Sequence, residues 1–360
     1  MKSSHLAVTR SGGWRGRMRA QALRVVSRAR NNQVFEAKRK SNGRRDRLVQ
    51  SRMTVNSGSC RSRDYSLFGI SGTLGATPLA ETATEARRAM ALQQADYVLG
   101  YTSLEQQRLI RQARALAPLT ERFLRDAGIS SAMRVLDIGC GMGDVTMIAA
   151  QLVGTAGHVT SIDRDQASIE TAQRRGATFG FENTSFYRAD IAEYVPSSPF
   201  DAIIGRLVLQ FVPDPIAIIK RLYGMLRSGG ILALQEPTWK LWLTYTAHLP
   251  LRLSVTRAAR DAFQAGGAST EMELQLYQSF IACGLHAPQL RVEVPLGNSP
   301  EFRSLLPDLL AALMPNIIAK GLAIDHLGDL NTLKERLDQE LDKENSFASY
   351  VALIGAFGHK

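Results

Sequence analysis

The chain has 360 residues, of which 45% are hydrophobic, enough to bury a full α/β core with room for a subdomain. No apolar run approaches the roughly 20 residues that span a bilayer, and the longest candidate, residues 202–212, contains an arginine and a glutamine. Cys60, Cys140 and Cys283 are widely scattered without a C-x-x-C pair, which is typical of reduced thiols. We therefore expect a cytoplasmic protein without a membrane segment or a bound metal.

The net charge of +11 is concentrated at the N-terminal end. Residues 1–63 hold 17 of the 44 basic residues but only two of the 33 acidic ones, and they have little apolar periodicity. Such a segment is expected to be disordered, and the Gly/Ser/Thr-rich stretch 66–84 reads as a linker. Three interpretations of the arm are open: a nucleic-acid-binding tail, an Arg-rich transit peptide, or an over-extended translation start before Met53 or Met90.

From residue 85 the pattern becomes helical. It predicts two amphipathic helices, 97–113 and 118–127, and the second would begin at Pro118 because proline suits the first helical position. Residues 85–130 are accordingly predicted to form a helical cap.

A glycine-rich turn follows, in the run M-R-V-L-D-I-G-C-G-M-G-D of residues 133–144. A short apolar stretch carrying Asp137 leads into three alternate glycines, Gly139, Gly141 and Gly143, before a helical pattern resumes. Glycine permits positive φ and the close approach of a ligand, and a helix N-terminus offers unpaired N–H groups to an anion. Asp137 would repel a pyrophosphate but could pair with the ammonium of an amino-acid ligand.

The glycine spacing separates two cofactor classes. A dinucleotide fingerprint G-x-G-x-x-G that starts at Gly139 needs glycine at position 144, which is Asp144. S-adenosylmethionine (SAM) is therefore favoured over NAD.

The run V-L-D-I-G-C-G-x-G, in which Cys140 separates the first two glycines, resembles motif I of the class I, Rossmann-like SAM-dependent methyltransferases. The resemblance extends from about residue 97 to the C-terminus. It implies a doubly wound, seven-stranded, mostly parallel α/β sheet with an antiparallel last strand and helices on both faces. The alternation of strand and helix patterns supports the same fold class independently.

The second predicted strand, 158–163, ends in Asp163, where an acid can accept two hydrogen bonds from a ribose diol. Alternatively, Asp163 caps the helix that begins at Arg164. The glycine turn favours the ribose role, and the resemblance places Arg164 in the same cofactor site.

The third predicted strand, 184–189, is closed by Asp190 and Ile191. The resemblance implies that the Asp190 carboxylate accepts the adenine amino group and that the backbone N–H of Ile191 is available to a ring nitrogen.

The fourth strand and its continuation, F-D-A-I-I-G-R-L-V-L-Q-F-V-P-D-P over 200–215, resemble the motif after which these enzymes place their substrate. Because ligands of doubly wound sheets bind at the carboxyl ends of strands, we expect Gly205, Arg206, Gln210 and Phe211 to face the methyl group. Many relatives carry Ser-Asn in place of Gly205-Arg206 and His in place of Gln210, so the resemblance supplies no general base here.

Arg206 needs an anionic partner if it is buried at the strand end. Three partners are open: Glu236 at the end of the next strand, the carboxylate of the cofactor, and an acidic group on the substrate. Trp239, Trp242 and His248 belong to a polar-aromatic insertion after the fifth strand, and His248 is its candidate general base.

The predicted organisation is an arm and linker (1–84), a helical cap (85–130), a SAM-binding core (131–237) and substrate-chamber insertions with the last two strands (238–360). The predicted activity is methyl transfer from SAM to a small-molecule acceptor. Two alternatives remain: an RNA methyltransferase that uses the basic arm, and a non-catalytic SAM-binding partner protein. Against the first, Gly205-Arg206-Leu207-Val208 stands where an N-P-P-Y tetrapeptide would bind a base. Nucleic acid is expected only through the arm.

Overall fold

The computed structural model describes residues 103–285 and 288–360. The predicted arm and linker, and the start of the predicted cap up to residue 102, lie outside the described residues.

The described chain begins with helix α1 and then alternates strands and helices. In order, these elements are α1 Ser103–Asp126, β1 Arg134–Ile138, α2 Asp144–Val153, β2 His158–Asp163, α3 Gln166–Thr178, β3 Thr184–Arg188, β4 Phe200–Arg206, α4 Pro215–Met225 and β5 Leu226–Thr238. A 3₁₀ helix, Leu209–Phe211, lies between β4 and α4.

The second half contains the inserted helices and the end of the sheet. Its elements are α5 Trp239–Thr246, α6 Pro250–Ala265, α7 Met272–Ala282, β6 Gln289–Glu293, β7 Leu296–Gly297, α8 Pro300–Arg303, α9 Leu305–Ala319, α10 Leu333–Lys343, β8 Ala348–Ser349 and β9 Ala352–His359. Two further 3₁₀ helices, Asp325–Leu327 and Leu330–Thr332, precede α10.

Seven strands form one sheet in the order β3-β2-β1-β4-β5-β9-β6. The first five are parallel, whereas β9 runs antiparallel to both β5 and β6. The predicted fold class, including the antiparallel last strand beside the sixth, is confirmed. Strands β7 and β8 form a separate two-stranded sheet.

The central strands are buried on both faces, which explains their nearly continuous apolar sequences. One face packs against α1 and α2 through Phe123 and Val145, and the other against α4 and α7 through Ile219 and Leu276. A third apolar cluster joins α5, α6, α9 and α10 to the start of β9. This third cluster follows the carboxyl end of β5, so it packs beside the edge where a ligand is expected.

The prediction that Pro118 begins a second helix is wrong. Pro118 lies inside the single 24-residue helix α1. Buried Leu116, Phe123 and Leu124 lie on both sides of it and pack against the body of the protein. This continuous apolar face offsets the backbone hydrogen bond that proline cannot donate.

Among the described residues, one helical segment, Pro300–Ala319, is long and apolar enough to cross a membrane by length and composition. This corrects the expectation that no such stretch exists. Core helices can have the same composition, and here the α9 residues Leu306, Leu310 and Leu313 are buried in the third cluster.

Candidate active site

A cavity of about 780 Å³ lies at the carboxyl ends of the parallel strands, bounded also by α1 and by the helices that follow β5. Most of the predicted site residues line it. They are Gly139, Cys140, Gly141, Asp163, Arg164, Asp190, Ile191, Arg206 and Gln210. Residues from distant parts of the chain therefore meet around one cavity.

The glycine turn has the predicted strand–turn–helix geometry, with φ of 57°, 52° and 82° at Gly139, Gly141 and Gly143. A Cβ added at Gly141 would meet no atom within 4 Å, so the backbone there is open to a ligand. A Cβ at Gly143 would lie 3.2 Å from both Ala172 and Phe186, and Gly143 does not line the cavity. Its observed role is close packing, a correction to the expected ligand contact.

Asp163 connects the end of β2 to the glycine turn. Its Oδ2 accepts a hydrogen bond from the Gly141 N–H (2.8 Å), and its Oδ1 accepts one from the Asp165 N–H (2.9 Å). Burial raises the pKa of Asp163, while these two bonds oppose that shift. The cap of α3 is Asp165, which accepts from the Ser168 N–H, so the capping alternative for Asp163 is wrong.

Asp190 and Ile191 lie in the loop after β3, on the same side of the cavity as Asp163. The Oδ1 of Asp190 accepts a hydrogen bond from the Ala192 N–H (2.8 Å), which orients the carboxylate. Their predicted contacts with an adenine ring stay predictions.

Of the three partners left open for Arg206, Glu236 does not pair with it. The Nη1 of Arg206 donates to Thr120 Oγ1 (2.9 Å), and within the described residues no carboxylate lies within 4.0 Å of the guanidinium. Burial lowers the pKa of Arg206, and the more distant Asp144 and Asp137 oppose that shift. Arg206 therefore brings a positive charge to the cavity wall.

Glu236 instead binds the backbone of the turn after β4. Its carboxylate accepts hydrogen bonds from the N–H groups of Val208 (3.0 Å), Leu209 (2.8 Å) and Gln210 (3.2 Å). Burial raises the pKa of Glu236 to about 7, although these three bonds favour the charged form. The start of a 3₁₀ helix leaves such N–H groups without backbone partners, which is why the turn takes the carboxylate away from Arg206.

Asp137 lies behind the cavity wall, contrary to the expectation that it meets a ligand directly. Its Oδ2 accepts from the Thr146 hydroxyl (2.6 Å), which in turn accepts from the Ser161 hydroxyl (3.0 Å). Its Oδ1 is buried without a hydrogen-bond partner. Burial raises the pKa of Asp137 to about 7, opposed by the Thr146 bond and by the charge of Arg206.

Two other predicted site residues do not reach the cavity. Gly205 does not line the cavity and is packed against the neighbouring strand, where an added Cβ would lie 2.6 Å from Ile138 Cγ1. His248 is exposed beyond the end of α5, with its Nε2 2.8 Å from Ser346 Oγ. Their position therefore does not support the predicted roles of Gly205 beside the methyl group and of His248 as general base, which stay predictions.

A second part of the lining, the apolar wall, comes mainly from segments outside the glycine-turn region. Trp239 and Trp242 pack with ring centroids 5.3 Å apart, and Trp239 also packs against Phe263 at 5.3 Å. Leu309 and Val351 complete this wall. The three-residue spacing of the tryptophans on α5 was the sequence signal for a shared helix face; Phe263, Leu309 and Val351 carried none.

Arg108 anchors the α1 side of the cavity. It pairs with Glu105 (2.6 Å) and donates to Gln112 (2.7 Å) and to the Tyr350 hydroxyl (3.1 Å). Arg108, Gln112 and Tyr350 all line the cavity. The segment predicted to form a helical cap therefore contributes Arg108 and Gln112 to the cavity.

The raised pKa of Asp137 makes a stability prediction. Its ordinary value is 3.8 and its folded value is about 7, so as pH rises between them the unfolded chain releases the proton first and the folded state loses stability. The non-titrating Asp137→Asn variant should therefore gain stability relative to wild type over this range, by a few kcal/mol in total.

Urea unfolding at a series of pH values measures this difference. Glu236 titrates in the same range in both proteins and cancels in the comparison. A stability difference that is constant with pH would contradict the assignment.

Comparisons with known proteins agree with this geometry. Residues 129–274 match a family model described as a methyltransferase domain. The chain is similar to the trans-aconitate 2-methyltransferases of Rhizobium rhizogenes (36% identity, covering 29% of this chain and 38% of the relative), Agrobacterium fabrum (31%, covering 40% and 54%) and Methylobacterium radiotolerans (29%, covering 51% and 65%). The match thus spans less than two thirds of each relative. Residues 129–274 are therefore similar to a methyltransferase domain, and the sheet and its glycine turn lie largely within that match.

Proposed function

We propose that the chain is a SAM-dependent methyltransferase that acts on a small-molecule acceptor. The observation that carries this proposal is the division of one cavity into two chemically different walls. One wall holds the open glycine turn with Asp163 and Asp190, and the other is aromatic and apolar with Arg206 and Gln210 at its polar edge. The first wall suits a nucleoside bearing an amino acid, and the second suits a compact organic acceptor.

The residues present fit the cofactor. The backbone at Gly141 leaves room for close approach, and Asp163 has lone pairs left to accept from a ribose diol after binding two N–H groups. Asp190 and Ile191 would hold the adenine. Bound SAM supplies a methyl group on a sulfonium, already activated for in-line displacement.

The protein itself contributes to this reaction by positioning the two reactants and by excluding water from the cavity. Trp239, Trp242 and Phe263 exclude water from the apolar wall, and Arg206 and Gln210 orient the acceptor. Holding two reactants in line can contribute up to about 7 to 11 kcal/mol, so a dedicated base is needed only for an acceptor that must lose a proton. Within the described residues, no group of three or more His, Cys, Asp or Glu side chains could hold a metal ion.

The direct test is to incubate the full chain with SAM and a metabolite panel that includes trans-aconitate, and to detect methylated products by mass spectrometry. A methylated small molecule is the expected result. Methylation of RNA alone would favour the RNA methyltransferase, and SAM binding without any product would favour the non-catalytic partner protein.

Asp163→Ala should weaken binding of S-adenosylhomocysteine by roughly 2 to 4 kcal/mol, because two hydroxyls lose an acceptor worth about 1 to 2 kcal/mol each. Calorimetry measures this. The matched control is Asp165→Ala, which removes the cap of α3 but no carboxylate from the cavity wall. Unchanged affinity in Asp163→Ala, or preferential binding of NAD, would disprove the assignment.

Arg206 now has two remaining partners of the three considered: the cofactor carboxylate and an acidic group on the acceptor. Arg206→Met removes the charge while keeping much of the side-chain volume. Loss of S-adenosylhomocysteine affinity would identify the cofactor carboxylate, whereas loss of turnover at unchanged affinity would identify the acceptor. A folded variant with wild-type affinity and turnover would remove Arg206 from the site.

We also propose a cytoplasmic location and no stable membrane association, with any nucleic-acid contact confined to residues 1–63. The concentration of basic residues in that segment supports the proposal on nucleic-acid contact. Salt-sensitive RNA binding by the full chain should disappear when residues 1–63 are removed, while S-adenosylhomocysteine affinity stays unchanged. RNA binding that survives the truncation would place a nucleic-acid surface elsewhere.

A further inference from the structure

Glu236 is an unusual buried acid because no cationic side chain among the described residues pairs with it. It is fully buried near the end of β5, and in the part of the chain that the structure describes its hydrogen bonds come only from the N–H groups of Val208, Leu209 and Gln210. Burying a carboxylate without a cation is costly. A neutral Gln side chain has one acceptor oxygen, and its NH₂ group would face a backbone N–H, so only a carboxylate can accept all three bonds.

The turn that Glu236 holds connects the two walls of the cavity. The turn begins at Leu207, whose φ of 60° is left-handed and whose N–H donates to the Gln235 backbone carbonyl (2.8 Å). Val208 then packs over the glycine turn so closely that a Cβ added at Gly139 would lie 2.6 Å from Val208 Cγ2. Gln210 and Phe211, at the end of the turn, line the cavity.

A displacement of this turn would therefore act on both walls together. Val208 sets the space beside the glycine turn, while Phe211 packs against Phe263 on the apolar wall with ring centroids 6.1 Å apart. The Gln210 carbonyl accepts from the Ser269 N–H (2.7 Å), which joins the turn to the segment after α6.

We propose that Glu236 is a positioning residue of the site. Its carboxylate fixes the turn 207–211 and so sets the distance between the cofactor wall, formed by the glycine turn with Asp163 and Asp190, and the apolar wall. This rests on the proposed function for its catalytic meaning, but the hold on the turn can be measured without turnover. The three bonds favour the charged carboxylate, whereas burial favours the neutral one and raises the pKa of Glu236 to about 7, so Glu236 titrates near neutral pH. The shift has no charged side chain among its causes, only burial and the three N–H groups.

The experiment compares full-length wild type with Glu236→Gln by hydrogen–deuterium exchange and by calorimetry with S-adenosylhomocysteine as the probe. At about pH 8, exchange of peptides covering the turn should rise at least about tenfold in Glu236→Gln, while peptides of β1 and β4 stay protected. Affinity for the probe should fall severalfold because Val208 no longer holds its place on Gly139. Equal protection of the turn in both proteins overturns the proposal, as does a uniform loss of protection across the sheet, which would mean a merely structural role.

A second measurement needs no Glu236 variant. In wild type, opening of the turn hydrates Glu236 and returns its pKa toward the usual 4.5, so protection of the turn, corrected for the intrinsic exchange rate, should fall as pH rises from about 5 to about 7. Asp137 has a similar pKa, so Asp137→Asn is the matched control and should keep this response. A response that is absent from wild type, or that Asp137→Asn abolishes, overturns the proposal. Failure of wild type to bind S-adenosylhomocysteine would refute the proposed function instead and leave the exchange result standing.

Discussion

The parallel register of the central strands is the constraint on which the site depends. Ile138 at the end of β1 pairs with Ile162 of β2 and with Gly205 of β4, and Gly205 pairs with Leu234 of β5. The ends of β1, β2 and β4 therefore lie at one level beside β5, and the segments that follow these three strands emerge side by side. Gly205 permits this alignment, since a Cβ there would lie 2.6 Å from Ile138 and 3.3 Å from Leu234. A residue predicted to touch the ligand thus serves by having no side chain.

The strand-end acids have different roles because their hydrogen-bond donors differ. Asp137 binds a threonine hydroxyl beneath the glycine turn, and Glu236 binds three N–H groups of the next turn. Asp163 binds two N–H groups while still facing the cavity. The hydrogen bonds to each of these acids come from neutral donors, and the Oδ1 of Asp137 has none among the described residues. As a consequence, Arg206 is left without a carboxylate within 4.0 Å among the described residues, and its charge is directed to the cavity.

The most accurate predictions from the sequence concern features that depend on neighbouring residues, such as strand bounds and the glycine turn. The bounds of β2 are those predicted, and α2 begins directly after the glycine turn as predicted, because hydrophobic period and glycine position determine both. The fold class followed from the order of such elements. The same local information placed the glycine turn, Asp163 and Asp190 on one side of a single cavity.

The expectations that the structure does not support depended on packing. Pro118 was assigned by its local preference, but the apolar face of α1 is continuous through it. The partner of Glu236 depended on the path of the turn after β4, which brings three N–H groups back toward β5. His248 lay close in sequence to Trp239 and Trp242, yet the tryptophans occupy the buried face of α5 and the histidine follows on the exposed side.

The two walls also differ in how they are encoded. The cofactor wall comes from one continuous region, residues 139–191, where a short motif is enough to recognise it. The rest of the lining combines residues of α1, α5, α6 and α9 with Tyr350 and Val351 just before β9. The methyltransferase-domain match ends at residue 274, before α9 and the last of these residues. Choice of acceptor in the proposed reaction is therefore expected to depend on parts of the chain that the shared domain does not include. A relative's acceptor becomes a hypothesis to test against Arg206, Gln210 and the aromatic wall.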